Sequence, residues 1–186
     1  MKSKNLWIVK ITIWTFFLAV IFTLLSQNLL GKVGLFTAFF ILFFIVLMGI
    51  ISDMIGVATT VASIQPLNAK AAKKIPGAKQ ALFFVRNSER VASFCNDVIG
   101  DISGIVSGSA ATVIIIGIFQ QGQYIAAIIL TSIVAAITVG GKAIGKTVAI
   151  NNSTEIMVFV GRILFYIEKI FKVNLTHNKV KKKKGM

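Results

Sequence analysis

The stretch ISGIVSGSAATVIIIGIFQQGQYIAAIILTSIVAAITVGG, residues Ile102–Gly141, runs for forty residues without a charged side chain, between Asp97 and Asp101 on one side and Lys142 and Lys146 on the other. A helix needs about twenty apolar residues to cross the hydrocarbon of a bilayer. The stretch therefore supplies two crossings, with Gln120, Gln121, Gly122 and Gln123 as the bend between them. It marks the chain as an integral membrane protein and turns attention to the charges at its ends.

Working outward, composition agrees. Hydrophobic residues make up 56% of the 186, with a mean hydropathy of +0.85, more apolar surface than a soluble core of this length could hide. The formal charge of +14 comes from 20 basic and 6 acidic residues. The basic ones crowd between the apolar runs, a pattern that predicts membrane lipids with anionic headgroups as partners and no nucleic acid. Cys95 and His177 are the only cysteine and histidine. A disulfide within the chain, a zinc cluster and a Cys/His catalytic pair are thereby excluded.

Four spans are expected. The first covers about 6–25, with Lys10 close enough to its end to snorkel; a secretory signal peptide competes with it, but Leu25-Ser26-Gln27-Asn28 lacks the small-x-small cleavage pattern. The second runs from Val33 to about Ser63, with Gly49 and Gly56 as points of bending and Pro66 closing it. Spans three and four cover roughly 91–119 and 124–150. Between spans two and three, Lys70, Lys73, Lys74, Lys79, Arg86 and Arg90 surround a Pro76-Gly77 turn and an apolar patch at Ala81–Val85, predicting a helical segment along the membrane surface. After span four, Glu155, Arg162, Tyr166 and Lys169 recur at helical spacing against a broad apolar face, the pattern of an interfacial amphipathic helix. A tail with Lys179 and Lys181–Lys184 ends the sequence. The N-terminus, the 68–90 segment and the tail hold the lysines and arginines, while the loops near Lys32 and Gln121 do not. Both termini are therefore expected in the cytoplasm of a multi-pass protein of the cell membrane.

Counting from the outer loops places the charges. Asp53 lies twenty residues after Val33, Asp101 eighteen before Phe119, and Lys142 eighteen after Tyr124, so each sits roughly 27 to 30 Å below the outer surface at 1.5 Å per residue. Asp97 and Lys146 fall about one turn further on the same faces, and Asn96 on the neighbouring one. Intramembrane carboxylates mark functional sites by default, and Asp53, Asn96, Asp97 and Asp101 are candidate metal ligands with Lys142 and Lys146 as charge partners. An Asp101–Lys142 pair that merely joins two helices remains the alternative. Gly100, Gly104 and Gly108, and likewise Gly141 and Gly145, recur every four positions, spacing that lets helix backbones approach closely.

Gly140–Thr147 matches G-x-x-x-x-G-K-T literally. A nucleotide site needs a parallel sheet and a later strand ending in Asp, whereas only Glu155 and Glu168 follow, both on the amphipathic helix. No nucleotide is expected, and no enzyme activity, because no nucleophile with an adjacent base can be named. Glycosylation triplets at Asn151, Asn152 and Asn174 carry no weight on the cytoplasmic side.

Several segments, in order, resemble the transmembrane domain of the CNNM/CorC (CorB-type) family of magnesium and cobalt transporters: Ala78–Leu82 leading to Asn87-Ser88-Glu89-Arg90, then Ile99-Gly100-Asp101, then Gly141–Ala149. The likeness runs from about 33 to 175. It implies a three-helix domain over 33–150 with its juxtamembrane segment at 68–90, to which the residue pattern itself adds an interfacial helix at 151–175 and a basic cytoplasmic tail at 176–186. Residues 1–32, an extra helix and outer loop, are an addition to the family pattern, and a CBS regulatory pair is not expected because the sequence ends at Met186. It also implies a homodimer and ion transport through an intramembrane site built from a serine, an asparagine, backbone carbonyls and a glutamate. No cofactor is implied beyond bound magnesium. Three departures stand out: Lys142 takes the glutamate's place, Asp53 falls near the serine segment, and Asp101 replaces the asparagine. At an effective dielectric of 20, an ammonium about 4 Å from a doubly charged ion is repelled by roughly 8 kcal/mol. Lys142 must then pair with Asp53 or Asp101 and mimic a cation, lose its proton on desolvation, or point away while the acids and Asn96 supply hard oxygen ligands. The functions expected are thus divalent-cation handling or, alternatively, a non-transporting membrane scaffold or accessory subunit held by the Lys142 pair.

Overall fold

The computed structural model describes residues 2–118 and 124–171, with side chains over 9–115 and 125–171. The bend expected at Gln120–Gln123 and the basic tail at 176–186 lie outside the described residues. Every described element is helical, as it must be where backbone N–H and C=O groups find no water and have to bond within their own segment. The elements are α1 (Lys2–Leu30), α2 (Leu35–Val61), α3 (Ile64–Ala72), α4 (Ala78–Arg86), α5 (Ser88–Ser93), a π-helical turn (Phe94–Gly100), α6 (Asp101–Ile118), α7 (Tyr124–Asn151) and α8 (Ser153–Phe171). Among the described residues, four stretches are long and apolar enough to cross a membrane: Val9–Leu30, Leu35–Val61, Ser88–Ile115 and Ile125–Asn151. The chain is an all-α protein of membrane-spanning character.

The central element is α2, which packs on α6, α7, α8 and the π-helical turn, while α1 lies on α6 and α4 on α8. Two apolar clusters divide the interior. One joins Leu30, Ala38, Leu42, Val46, Ala110, Ala111, Ile114 and Val134. The other joins Ala58, Ala62, Leu67, Ala81, Val85, Ala149, Met157 and Val158. Between them on α2 come Ser52 and Asp53, both buried. The opposite faces expose Phe36, Phe40, Phe43 and Phe44 of α2 and Ile128, Ile137 and Val139 of α7, an array too large for a soluble surface and ordinary for one facing lipid.

One local expectation is corrected, and two other features prove to make close contacts. Pro66 does not close α2. The helix stops at Val61, Ala62 and Ser63 are extended, and Pro66 sits in the first turn of α3, where its missing N–H removes a donor that has no helical partner anyway. The apolar patch at Ala81–Val85 turns inward, with Ala81 and Val85 buried against α2 and α8 residues. Gly49 and Gly56 lie within α2 and allow close contact: a Cβ at Gly49 would stand 2.8 Å from the Ser103 Cβ, and one at Gly56 would collide with the Asn96 amide.

The α3–α4 turn is built by two left-handed residues, Lys74 at φ 56° and Gly77 at φ 85°. The Ile75 N–H reaches back to the Lys70 carbonyl at 3.1 Å, a helix-ending arrangement that satisfies otherwise orphaned carbonyls. Gly77 matters twice, because it also lies directly against the backbone of Gly161 and Arg162 on α8. Gln80 Nε2 donates to Glu168 Oε2 at 2.7 Å on the same interface.

Candidate functional site

Seven residues of the third span, Phe94–Gly100, form a π-helical turn, in which bonds run to the fifth residue back and the coil widens. The Asp101 N–H donates to the Asn96 carbonyl in this way. The widened turn offers two carbonyls to side chains. Ser52 Oγ donates to the Cys95 carbonyl at 2.8 Å, and Lys142 Nζ donates to the Gly100 carbonyl at 3.1 Å. A Cβ at Gly100 would press on the Cys95 carbonyl oxygen at 3.3 Å and stand in ordinary contact with Lys142 Nζ at 3.6 Å and Asp53 Oδ1 at 3.7 Å.

Two ion pairs complete the layer. Lys142 Nζ lies 3.6 Å from Asp101 Oδ1, with the lysine side chain 18% exposed and the aspartate 68%. Lys146 Nζ lies 3.4 Å from Asp53 Oδ2, with the lysine 52% exposed and the aspartate 6%. The two lysines, one turn apart on α7, thus reach different helices, α6 and α2 respectively. Asp53 Oδ2 accepts no hydrogen bond despite its burial, so its compensation is electrostatic alone. That is a costly arrangement in a low-dielectric interior, the kind retained where a charge has a use.

The remaining sequence candidates are placed differently. Asn96 is half-buried, with its Oδ1 buried and without a hydrogen-bond partner, packed against Gly56. Asp97 is exposed and enters neither ion pair. Among the described residues no three His, Cys, Asp or Glu side chains are close enough together to hold a metal. The structure therefore brings Asp53 and Lys142 beside Gly100, pairs them with Lys146 and Asp101 respectively, and leaves Asp97 outside these pairs. The glycines divide too. Gly141 and Gly145 seat Ile50 of α2, whereas a Cβ placed on Gly104 or Gly108 would have no neighbour within 4 Å. Their expected packing role finds no counterpart within one chain, because small residues allow close approach without enforcing it.

Sequence reasoning missed the two carbonyl acceptors and Ser52. Every residue carries a carbonyl, so only the π-helical turn singles out those of Cys95 and Gly100, and nothing in FCNDVIG announces such a turn. The G-x-x-x-x-G-K-T match lies wholly within α7, and Thr147 Oγ1 donates to the Ala143 carbonyl at 3.1 Å. No phosphate-cradling loop exists there.

The Asn96–Gly56 contact carries a prediction. Gly56→Ala should displace the Asn96 amide and lower stability by about 1–3 kcal/mol, the usual cost of overfilling a packed contact. Thermal unfolding in detergent reads it. Because the obstructing atoms belong to a side chain, Asn96→Ala in the same protein should restore most of the loss; undiminished stability of Gly56→Ala alone would refute the contact.

No family model, curated protein or solved structure matches this chain.

Proposed function

We propose that this chain is an integral membrane protein of CorB/CNNM-like type that handles divalent cations, magnesium or cobalt, through the polar layer at Asp53. The observation that carries the reading is the Asp53 carboxylate: buried between two apolar clusters, with Oδ1 bordering Gly100, whose carbonyl Lys142 holds, and with an Oδ2 that accepts no hydrogen bond. Carboxylate and carbonyl oxygens are the donors that hard cations prefer. In this reading the protein is a homodimer in the cell membrane with both termini cytoplasmic. Its segment 68–90 and α8 lie at the interface, with their basic residues on anionic headgroups. No catalytic reaction is assigned.

A second reading, a non-transporting scaffold or accessory subunit, is favoured by one specific observation: the Lys142 ammonium already engages the Gly100 carbonyl and Asp101. One experiment separates the two. Protein reconstituted in vesicles loaded with a magnesium-sensitive dye should carry magnesium inward, and Asp53→Asn, which keeps the shape and removes the charge, should slow that flux at least about tenfold, the effect of roughly 1.4 kcal/mol at the site. Vesicles that take up no magnesium with the wild-type protein would leave the scaffold reading standing and end the first.

A further inference from the structure

Lys142 makes two polar contacts, and both are to oxygens: the Gly100 carbonyl at 3.1 Å and Asp101 Oδ1 at 3.6 Å. A third oxygen, Asp53 Oδ1, borders the same glycine, 3.7 Å from the point where its Cβ would be, while Lys142 Nζ is 3.6 Å from that point. An ammonium held by a carbonyl and paired with a carboxylate has the surroundings of a bound inorganic cation, since both are compact positive charges that replace hydration with oxygen donors. The charge balance says the same. Asp53 and Asp101 oppose Lys142 and Lys146, two charges against two, so the layer is neutral as it stands and no further cation is attracted. Without the Lys142 charge it would carry one net negative charge. Buried Asp53, with Oδ2 paired to Lys146, would then have Oδ1 bordering the glycine whose carbonyl the ammonium had left.

We propose that Lys142 is the resident cation of this layer: its ammonium occupies, on the Gly100 carbonyl, the position an inorganic cation would take, and an incoming cation has to displace it. The inference rests on the reading of the layer as a cation site, yet it is separable from transport, because a site closed by its own lysine exists whether or not the wild-type protein ever opens it. It explains how a lysine can stand in such a layer without contradiction. The repulsion that an ammonium exerts on a metal applies only when both are present, and here one substitutes for the other. The four-carbon stem makes the substitution reversible in principle, since an ammonium can swing off the carbonyl while remaining tethered to α7.

The test compares wild type, Lys142→Gln, Lys142→Arg and Lys142→Gln/Asp53→Asn in detergent, following thermal unfolding with added magnesium chloride and with choline chloride at matched ionic strength. Lys142→Gln removes the charge and offers an amide oxygen. It should gain a saturable, magnesium-specific rise in unfolding temperature that exceeds the wild-type response, and Asp53→Asn should abolish the gain. Lys142→Arg should behave as wild type. A folded Lys142→Gln protein with no larger magnesium response than wild type would overturn the proposal. Should Lys142→Gln fail to fold, wild-type protein supplies the second measurement: acylation of Lys142 by an amine-reactive reagent, mapped by mass spectrometry, should accelerate several-fold in magnesium relative to choline, with Lys169 as the internal standard. An unchanged rate would overturn it. Loss of the transport reading appears differently, as an absence of flux in wild-type vesicles, and a gained response in Lys142→Gln would support the inference even then.

Discussion

Lys146→Met should destabilise the protein by about 3 kcal/mol, the lower end of the cost of stripping the partner from a buried charge. The asymmetry of the pair sets both sign and size. Asp53 is 6% exposed and Lys146 52%, so removing the lysine strands a carboxylate in the interior, whereas removing the aspartate leaves an ammonium that is already half-exposed. The lower end applies because Lys142 lies beside the same glycine and retains part of the positive potential. Asp53→Asn alone should therefore cost less than Lys146→Met alone, and the double variant should recover most of the loss. Unfolding midpoints of the three variants in detergent, completed as a double-mutant cycle, measure this directly. Equal costs for the two single changes would show that burial does not govern the pair.

Gly161→Leu should be comparably damaging for a different reason. A Cβ at Gly161 would run into the Gly77 carbonyl and stand 2.8 Å from the Ala81 N and 3.1 Å from the Ala81 Cβ. Two of these three obstacles are backbone, so no rotamer change relieves them and α4 has to move away from α8. Overfilling a packed contact costs about 1–3 kcal/mol and more where neighbours cannot yield, and here the movement also pulls Ala81 and Val85 out of the cluster with Met157 and Val158. Faster hydrogen exchange along Ala78–Arg86 and a lower unfolding temperature are the expected results; wild-type exchange in that helix would refute the close contact. Gly161→Ala should show the same pattern at reduced size.

The spans were legible because length and apolarity carry their own physics: forty uncharged residues leave the backbone no option but helix in a bilayer. That Asp53, Asp101 and Lys142 are neighbours was accessible to counting, since rise per residue is nearly constant in a helix. Azimuth was not. Which lysine meets which carboxylate depends on how α6 is rotated, and that rotation is set by a widened turn with no compositional signature. Asp97 is exposed and enters neither ion pair, a difference from Asp101 that counting depth along the helix does not decide. Pro66 misled because a proline reads as a stop wherever it occurs, while its place in a helix's opening turn is decided by the break at Ala62 and Ser63, which no strong signal marks. The approach of Gly77 to Gly161 spans more than eighty residues of sequence and becomes visible only in three dimensions.

The widened turn also has a bearing on how the third span works as a piece of machinery. Each residue advances an ordinary helix by about 100°, so accommodating surplus backbone between Phe94 and Gly100 uncouples the phase of the two flanking halves. Before the turn, α5 can keep its contact with α2 while Ile102 and Val106 after it keep theirs with α1. A rod with a single phase would have to sacrifice one set of partners to keep the other; a rod with an internal slip joint keeps both.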